Sequence, residues 1–155
     1  MPVATQRDWR SNSMAVSNEN IGRYRASYAK MIRFIGLLHE AGVPLVAGTD
    51  GIAGFTLHRE LELYVQAGMT PGEALRIATE DGARYAGVLP ETGTIEPGKR
   101  ADLILVDGDP TANISDIRRI SYVLKDGVGY APAWLYEAFG VRRFAEPPRI
   151  TRPDG

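Results

Sequence analysis

With 155 residues, 44% of them hydrophobic and 24% charged, the chain has the size and make-up of one ordinary globular domain. Its 18 basic and 19 acidic residues leave a formal net charge of -1. That balance provides no field to hold a phosphate backbone or an anionic lipid surface, so nucleic acid and membrane are set aside as partners. The absence of cysteine excludes disulfides, thiolate metal sites and cysteine nucleophiles. No apolar run approaches bilayer length and the N-terminus has no signal-peptide core, so the chain as written is expected to be cytoplasmic; an export signal carried by a preceding segment would change that.

Residues 1–20 mix Asn, Ser, Arg and Gln with few apolar positions and are expected to be a loop or disordered end. From residue 21 to residue 41, Tyr24, Tyr28, Met31, Ile35 and Leu38 recur at spacings of four and three, which predicts an amphipathic helix burying that stripe, with Gly42 as its C-terminal cap. Residues 43–47 form a short apolar run interrupted only by Pro44, as expected of a strand buried on both faces of a parallel sheet. Leu57, Leu61, Tyr64 and Val65 mark a second helix closed by Gly68. Thr70-Pro71-Gly72-Glu73 then spells a capping box with proline at the first helical position, opening a third helix through Ala74, Leu75 and Ala78. A further short helix is expected over residues 81–86. Helix, buried strand, turn and helix is the unit of α/β folds.

After Val88 the character changes. Residues 103–106 and 120–124 read as strands, and Asp126-Gly127 is a strong hairpin signal into a third strand over 128–130. Residues 133–139 read as a terminal helix after Pro132, followed by a proline-rich extended tail.

Three chance patterns are rejected. Residues 93–99 fit the opening of a phosphate-binding loop, but Arg100 stands where Ser or Thr is needed, and a helix precedes with a strand following. Pro97-Gly98 fits a type II turn instead. Residues 89–93 spell a cell-wall sorting signal with no membrane-length stretch behind it. His39-Glu40 resembles the start of a zinc-protease helix, yet no histidine stands three residues beyond Glu40; a helix-surface pair is the plainer reading.

Asp50 ends the apolar run and its Gly48-Thr49 turn, which puts a carboxylate at the C-terminal edge of a predicted parallel strand, where barrels of alternating strands and helices keep catalytic groups. On position alone it serves equally well to close a turn with Gly51.

Around Asp50 the sequence resembles a known family. Gly48-Thr49-Asp50-Gly51, Leu57-His58-Arg59-Glu60-Leu61-Glu62-Leu63, residues 67–75 (AGMTPGEAL), Ala78-Thr79 and Gly82-Ala83 are similar to the last barrel segment of amidohydrolases, in particular their imidazolonepropionase-like and prolidase-like branches. Residues 93–99 (GTIEPGK) and 101–105 (ADLIL) resemble the turn and strand by which those enzymes return to a small β-sandwich. The resemblance implies an α/β chain: the C-terminal portion of a (β/α)8 barrel, comprising its last strand and flanking helices over 21–88, then part of a β-sandwich over 89–130, and a terminal helix and tail over 131–155. It implies hydrolysis of carbon-nitrogen bonds in a small amide, cyclic amide or dipeptide, with Asp50 as both ligand to a divalent metal, zinc by type, and carrier of the proton. Phe55 would be an apolar wall of the site. His58 is a substrate contact or simply a helix-end residue.

The family draws its other ligands from earlier strands: a His-x-His pair, a carboxylated lysine or glutamate, and two further histidines. This chain has two histidines, His39 and His58, and no His-x-His. A closed barrel needs eight strands and about 250 residues. A missing N-terminal barrel portion or a partner chain is therefore expected, and the chain alone is expected to be inactive. The competing expectation is a non-catalytic fragment kept as an interaction module.

Overall fold

The computed structural model describes residues 17–51 and 56–149. Helix α1 (Ile21–Glu40) ends in a cap that explains Gly42: its amide donates to the His39 carbonyl at 2.9 Å and the Val43 amide to the Leu38 carbonyl at 2.9 Å. That pair of bonds forces φ to +71° at Gly42, a conformation a side chain resists. The same two-bond closure recurs at Gly68, Gly87 and Gly140.

Helix α2 (Thr56–Gln66) buries Leu61 and Tyr64, and after Gly68 the predicted capping box starts α3 (Pro71–Arg76). The Thr70 hydroxyl accepts the Glu73 amide at 3.2 Å, and the Glu73 carboxylate accepts the Thr70 amide at 2.7 Å. Instead of ending before a separate short helix, α3 runs through a π turn (Ile77–Asp81) into α4 (Gly82–Tyr85), with Ala74, Ile77 and Ala83 facing inward. Strands β1 (Leu103–Val106), β2 (Ile120–Lys125) and β3 (Val128–Tyr130) form an antiparallel sheet in that order. Asp126 and Gly127, both at positive φ, make the hairpin turn between β2 and β3. A 3-10 helix (Ile114–Arg118) precedes β2, and α5 (Pro132–Ala138) follows β3.

The core joins the helical and sheet portions. Leu61, Tyr64, Met69, Ala74 and Ile77 pack with Ile114 and Ile117 of the 3-10 helix, flanked by Leu45, Ala47 and Val106. At the turn anticipated from Pro97-Gly98, the Lys99 amide donates to the Glu96 carbonyl at 3.2 Å and Gly98 sits at φ +89°, as a type II turn requires. Among the described residues no helix is long and apolar enough to cross a membrane.

Two expectations are corrected. Residues 43–47 are not a strand buried on both faces: they carry no ladder, and Val43 and Val46 are 43% and 48% exposed. A strand is defined by the backbone beside it, and no parallel neighbour lies among the described residues; Leu45 and Ala47 alone pack against the core. The stripe predicted to be buried on α1 is also largely open. Tyr24 and Tyr28 are exposed and Met31 is 67% exposed, while the stripe's last two members, Ile35 and Leu38, are half-buried beside the buried Gly36. The reason is steric. A Cβ on Gly36 would lie 2.3 Å from the Ala67 carbonyl oxygen, so this contact is where α1 meets the C-terminal end of α2.

Candidate functional site

The segment leading to Asp50 is held by side chains rather than by a neighbouring strand. The Gly48 amide donates to Glu60 Oε1 at 3.0 Å, and the Tyr64 hydroxyl lies 2.7 Å from the same oxygen and 3.2 Å from the Val46 carbonyl oxygen. Glu60 and Tyr64 stand one helical turn apart on α2, so one face of that helix supplies both contacts. Burial first, and the Glu60 carboxylate second, push the Tyr64 hydroxyl well above its ordinary pKa, so it stays a donor.

Beyond Gly48 the turn is closed by Thr49. The Gly51 amide donates to Thr49 Oγ1 at 3.0 Å, and Thr49 Oγ1 donates to Thr56 Oγ1 at 2.7 Å. A Cβ at Gly51 would meet Thr56 Cγ2 at 2.7 Å, which accounts for the glycine. Asp50 is therefore not the residue that closes the turn. It is exposed and makes no hydrogen bond to another described residue. Phe55, expected as an apolar wall, lies outside the described residues.

His58 sits on α2 but is turned inward, only 7% exposed. Burial lowers its pKa, Arg118 lowers it further, and Glu62 opposes both. Glu62 is the centre of that cluster: Arg118 Nε and Nη2 donate to its two oxygens at 2.7 and 3.0 Å, Arg59 Nη1 donates at 3.1 Å and Ser115 Oγ at 3.1 Å. His39 pairs with Glu73 of α3 at 3.5 Å, a helix-end contact as its position near the C-terminus of α1 suggests.

Among the described residues no group of three or more His, Asp or Glu side chains is gathered where an ion could sit. Asp50 offers a single carboxylate and His58 belongs to the Glu62 cluster, so these residues do not by themselves fit a divalent metal. An open groove of about 740 Å³ lies elsewhere, against α4 and β1, lined by residues such as Ala83, Ile95 and Ile104 and by neither Asp50 nor His58.

Sequence reasoning singled out Asp50 and His58 but missed Glu60, Tyr64 and Thr49. The available signal was Tyr64. A tyrosine on the buried stripe of a helix must bring its hydroxyl to a polar partner, and Glu60 is the acidic residue one turn earlier.

The family model for the amidohydrolase family matches residues 10–129. Over 107 residues the chain is 33% identical to 5-methylthioadenosine/S-adenosylhomocysteine deaminase of Symbiobacterium thermophilum, spanning 61% of this chain and 23% of that one. Over 99 residues it is 34% identical to imidazolonepropionase of Geobacillus kaustophilus, spanning 61% and 22%. A Xaa-Pro dipeptidase solved with methionine in its active site superposes with a TM-score of 0.61 at 33% identity, over 64% of this chain and 25% of the other. Molinate hydrolase does so with a TM-score of 0.56 at 26% identity, over 77% and 30%. The chain thus spans less than a third of the length of each of these relatives.

Proposed function

The chain belongs to the amidohydrolase family, and from that premise we propose that it is the C-terminal part of a hydrolase of carbon-nitrogen bonds, with Asp50 as its catalytic carboxylate. One observation carries this reading: Asp50 stands exposed at the end of the 43–48 segment while Thr49, not Asp50, closes the turn. No described residue hydrogen-bonds to its oxygens.

Residues 21–88 are the closing segment of the barrel, residues 89–130 contribute to the β-sandwich, and residues 131–155 are the terminal helix and tail. The remaining strands come from a portion outside these residues, which also brings most ligands of a divalent ion, zinc by family type. When bound, that ion supplies Lewis acidity. Asp50 takes a proton from the attacking water and hands it to the departing nitrogen, because an amine leaves poorly without one. The substrate is a small amide, cyclic amide or dipeptide. His58 acts from behind the site rather than on substrate, since it is buried against Arg118 and Glu62.

The test replaces the matched quarter of the Xaa-Pro dipeptidase with residues 21–149 of this chain, with either Asp50 or Asp50→Asn. The Asp50 form should hydrolyse dipeptides and carry stoichiometric metal. The Asn form should keep its circular dichroism and lose at least about 100-fold in kcat, within the loss typical of removing an acid-base group. Equal turnover by the two forms would sink the assignment. A second reading, a non-catalytic interaction module, draws on the open apolar flank of α1; it gains ground if the chimaera folds and binds metal yet neither form turns over.

A further inference from the structure

The 43–48 segment has no strand beside it among the described residues, yet the backbone just before Asp50 is pinned at two points from one helix. We infer that Glu60 and Tyr64 are positioning residues: a side-chain clip from α2 that fixes the backbone at Val46 and Gly48 and so aims Asp50, two residues on.

The chemistry suits the task. Gly48 is the most freely turning residue of the approach to Asp50, with open space where a Cβ would be, so its backbone would wander unless something fixed its amide. Glu60 fixes it with a charge-assisted bond at 3.0 Å, stronger than a neutral one. The other donor to the same oxygen, the Tyr64 hydroxyl at 2.7 Å, orients the carboxylate. Because that hydroxyl has one proton and also lies 3.2 Å from the Val46 carbonyl, the proton is shared, with the shorter contact favoured. Tyr64 belongs to the same buried core cluster as Leu61 and Ile77, so the clip is anchored in the core. A site carried on a turn needs this kind of support, since small displacements of a reacting group are costly in rate.

The inference rests on reading Asp50 as the reacting carboxylate, and its test separates the two. In the full 155-residue chain labelled with nitrogen-15 and carbon-13, amide exchange at Gly48 and the backbone amide chemical shift of Asp50 are followed for Glu60→Ala, Glu60→Gln and Tyr64→Phe. Glu60→Ala should speed Gly48 exchange by about 10-fold or more and move the Asp50 amide shift. Glu60→Gln, which keeps an acceptor oxygen, should restore most of the protection, and Tyr64→Phe should give a smaller change of the same sign. In the dipeptidase chimaera, Glu60→Ala should lower kcat with KM within about twofold, the pattern of a group acting on the transition state rather than on binding, and Glu60→Gln should recover most of that loss. If Glu60→Ala lowers Tm but leaves Gly48 exchange and the Asp50 amide shift as in the parent, Glu60 only stabilises the fold and the clip is refuted. If Asp50→Asn leaves turnover intact while Gly48 and Asp50 respond to Glu60 as stated, the hydrolase reading fails and the clip stands.

Discussion

Arg118 of the 3-10 helix grips Glu62 of α2 by two parallel bonds, at 2.7 and 3.0 Å, and so ties the helical portion to the sheet portion by charge as well as by the shared core. The two side chains are 28% and 14% exposed, which puts the pair between a surface bridge of little value and a fully buried one whose disruption is severe. Arg118→Ala should therefore destabilise the chain by about 2 kcal/mol, read as a lowered urea midpoint with unchanged slope.

The same pair makes stability depend on acid. Hydrogen bonds from Arg118 hold the Glu62 carboxyl down to about 2, against an ordinary 4.5, with burial opposing and Arg59 assisting. A folded-state value below the unfolded one contributes stability that is complete above the unfolded value and is lost as pH falls through the folded one. Urea midpoints should thus fall between pH 4.5 and about 2, and Arg118→Ala should flatten that fall. An equally steep fall in the variant would show that other carboxylates dominate.

His58 adds a second window at higher pH. Burial, then Arg118, lowers its pKa from 6.5, so the folded chain resists protonating it more than the unfolded chain does. Its neutral form favours folding above pH 6.5, and that contribution drains away as pH drops through the lowered folded value. Proton NMR of the imidazole should place its midpoint below 6.5 in the parent and move it upward in Arg118→Ala, where Glu62 remains as the raising influence.

Gly36 is the close-contact point between α1 and the end of α2. Because a Cβ there would lie 2.3 Å from a backbone oxygen of Ala67, which cannot swing aside as a side chain could, Gly36→Ala should cost about 1–3 kcal/mol despite the better helix propensity of alanine. Gly22→Ala, with open space at the same atom, should be neutral or slightly stabilising in the same urea titration.

The capping box can be measured separately. Thr70→Ala removes the acceptor of the Glu73 amide and should cost about 1 kcal/mol, while Thr70→Ser should cost much less because the hydroxyl remains.

Local chemistry was legible wherever a residue type answers a backbone demand: Thr70 and Glu73 at a helix start, Gly42 and Gly68 at helix ends, Asp126-Gly127 in a hairpin. Asp50 was singled out from its place at the end of an apolar run, and the structure leaves it exposed with Thr49 closing the turn. Residues 43–47 and the Tyr24, Tyr28, Met31 stripe were misjudged for one reason. Apolar patterning reports what a segment would bury in company, not whether that company lies in the same stretch of chain. The contact of Glu60 with Gly48 was hidden for a different reason: an acceptor twelve residues from its donor leaves no spacing signal in a helix read by itself.

The uncovered flank of α1 has a cellular cost. Tyr24, Tyr28, Met31, Phe34 and Leu37 together offer chaperones and proteases the greasy surface by which they recognise incomplete polypeptides. In a chain of these residues by itself, that surface would stay open to quality control for as long as nothing covered it.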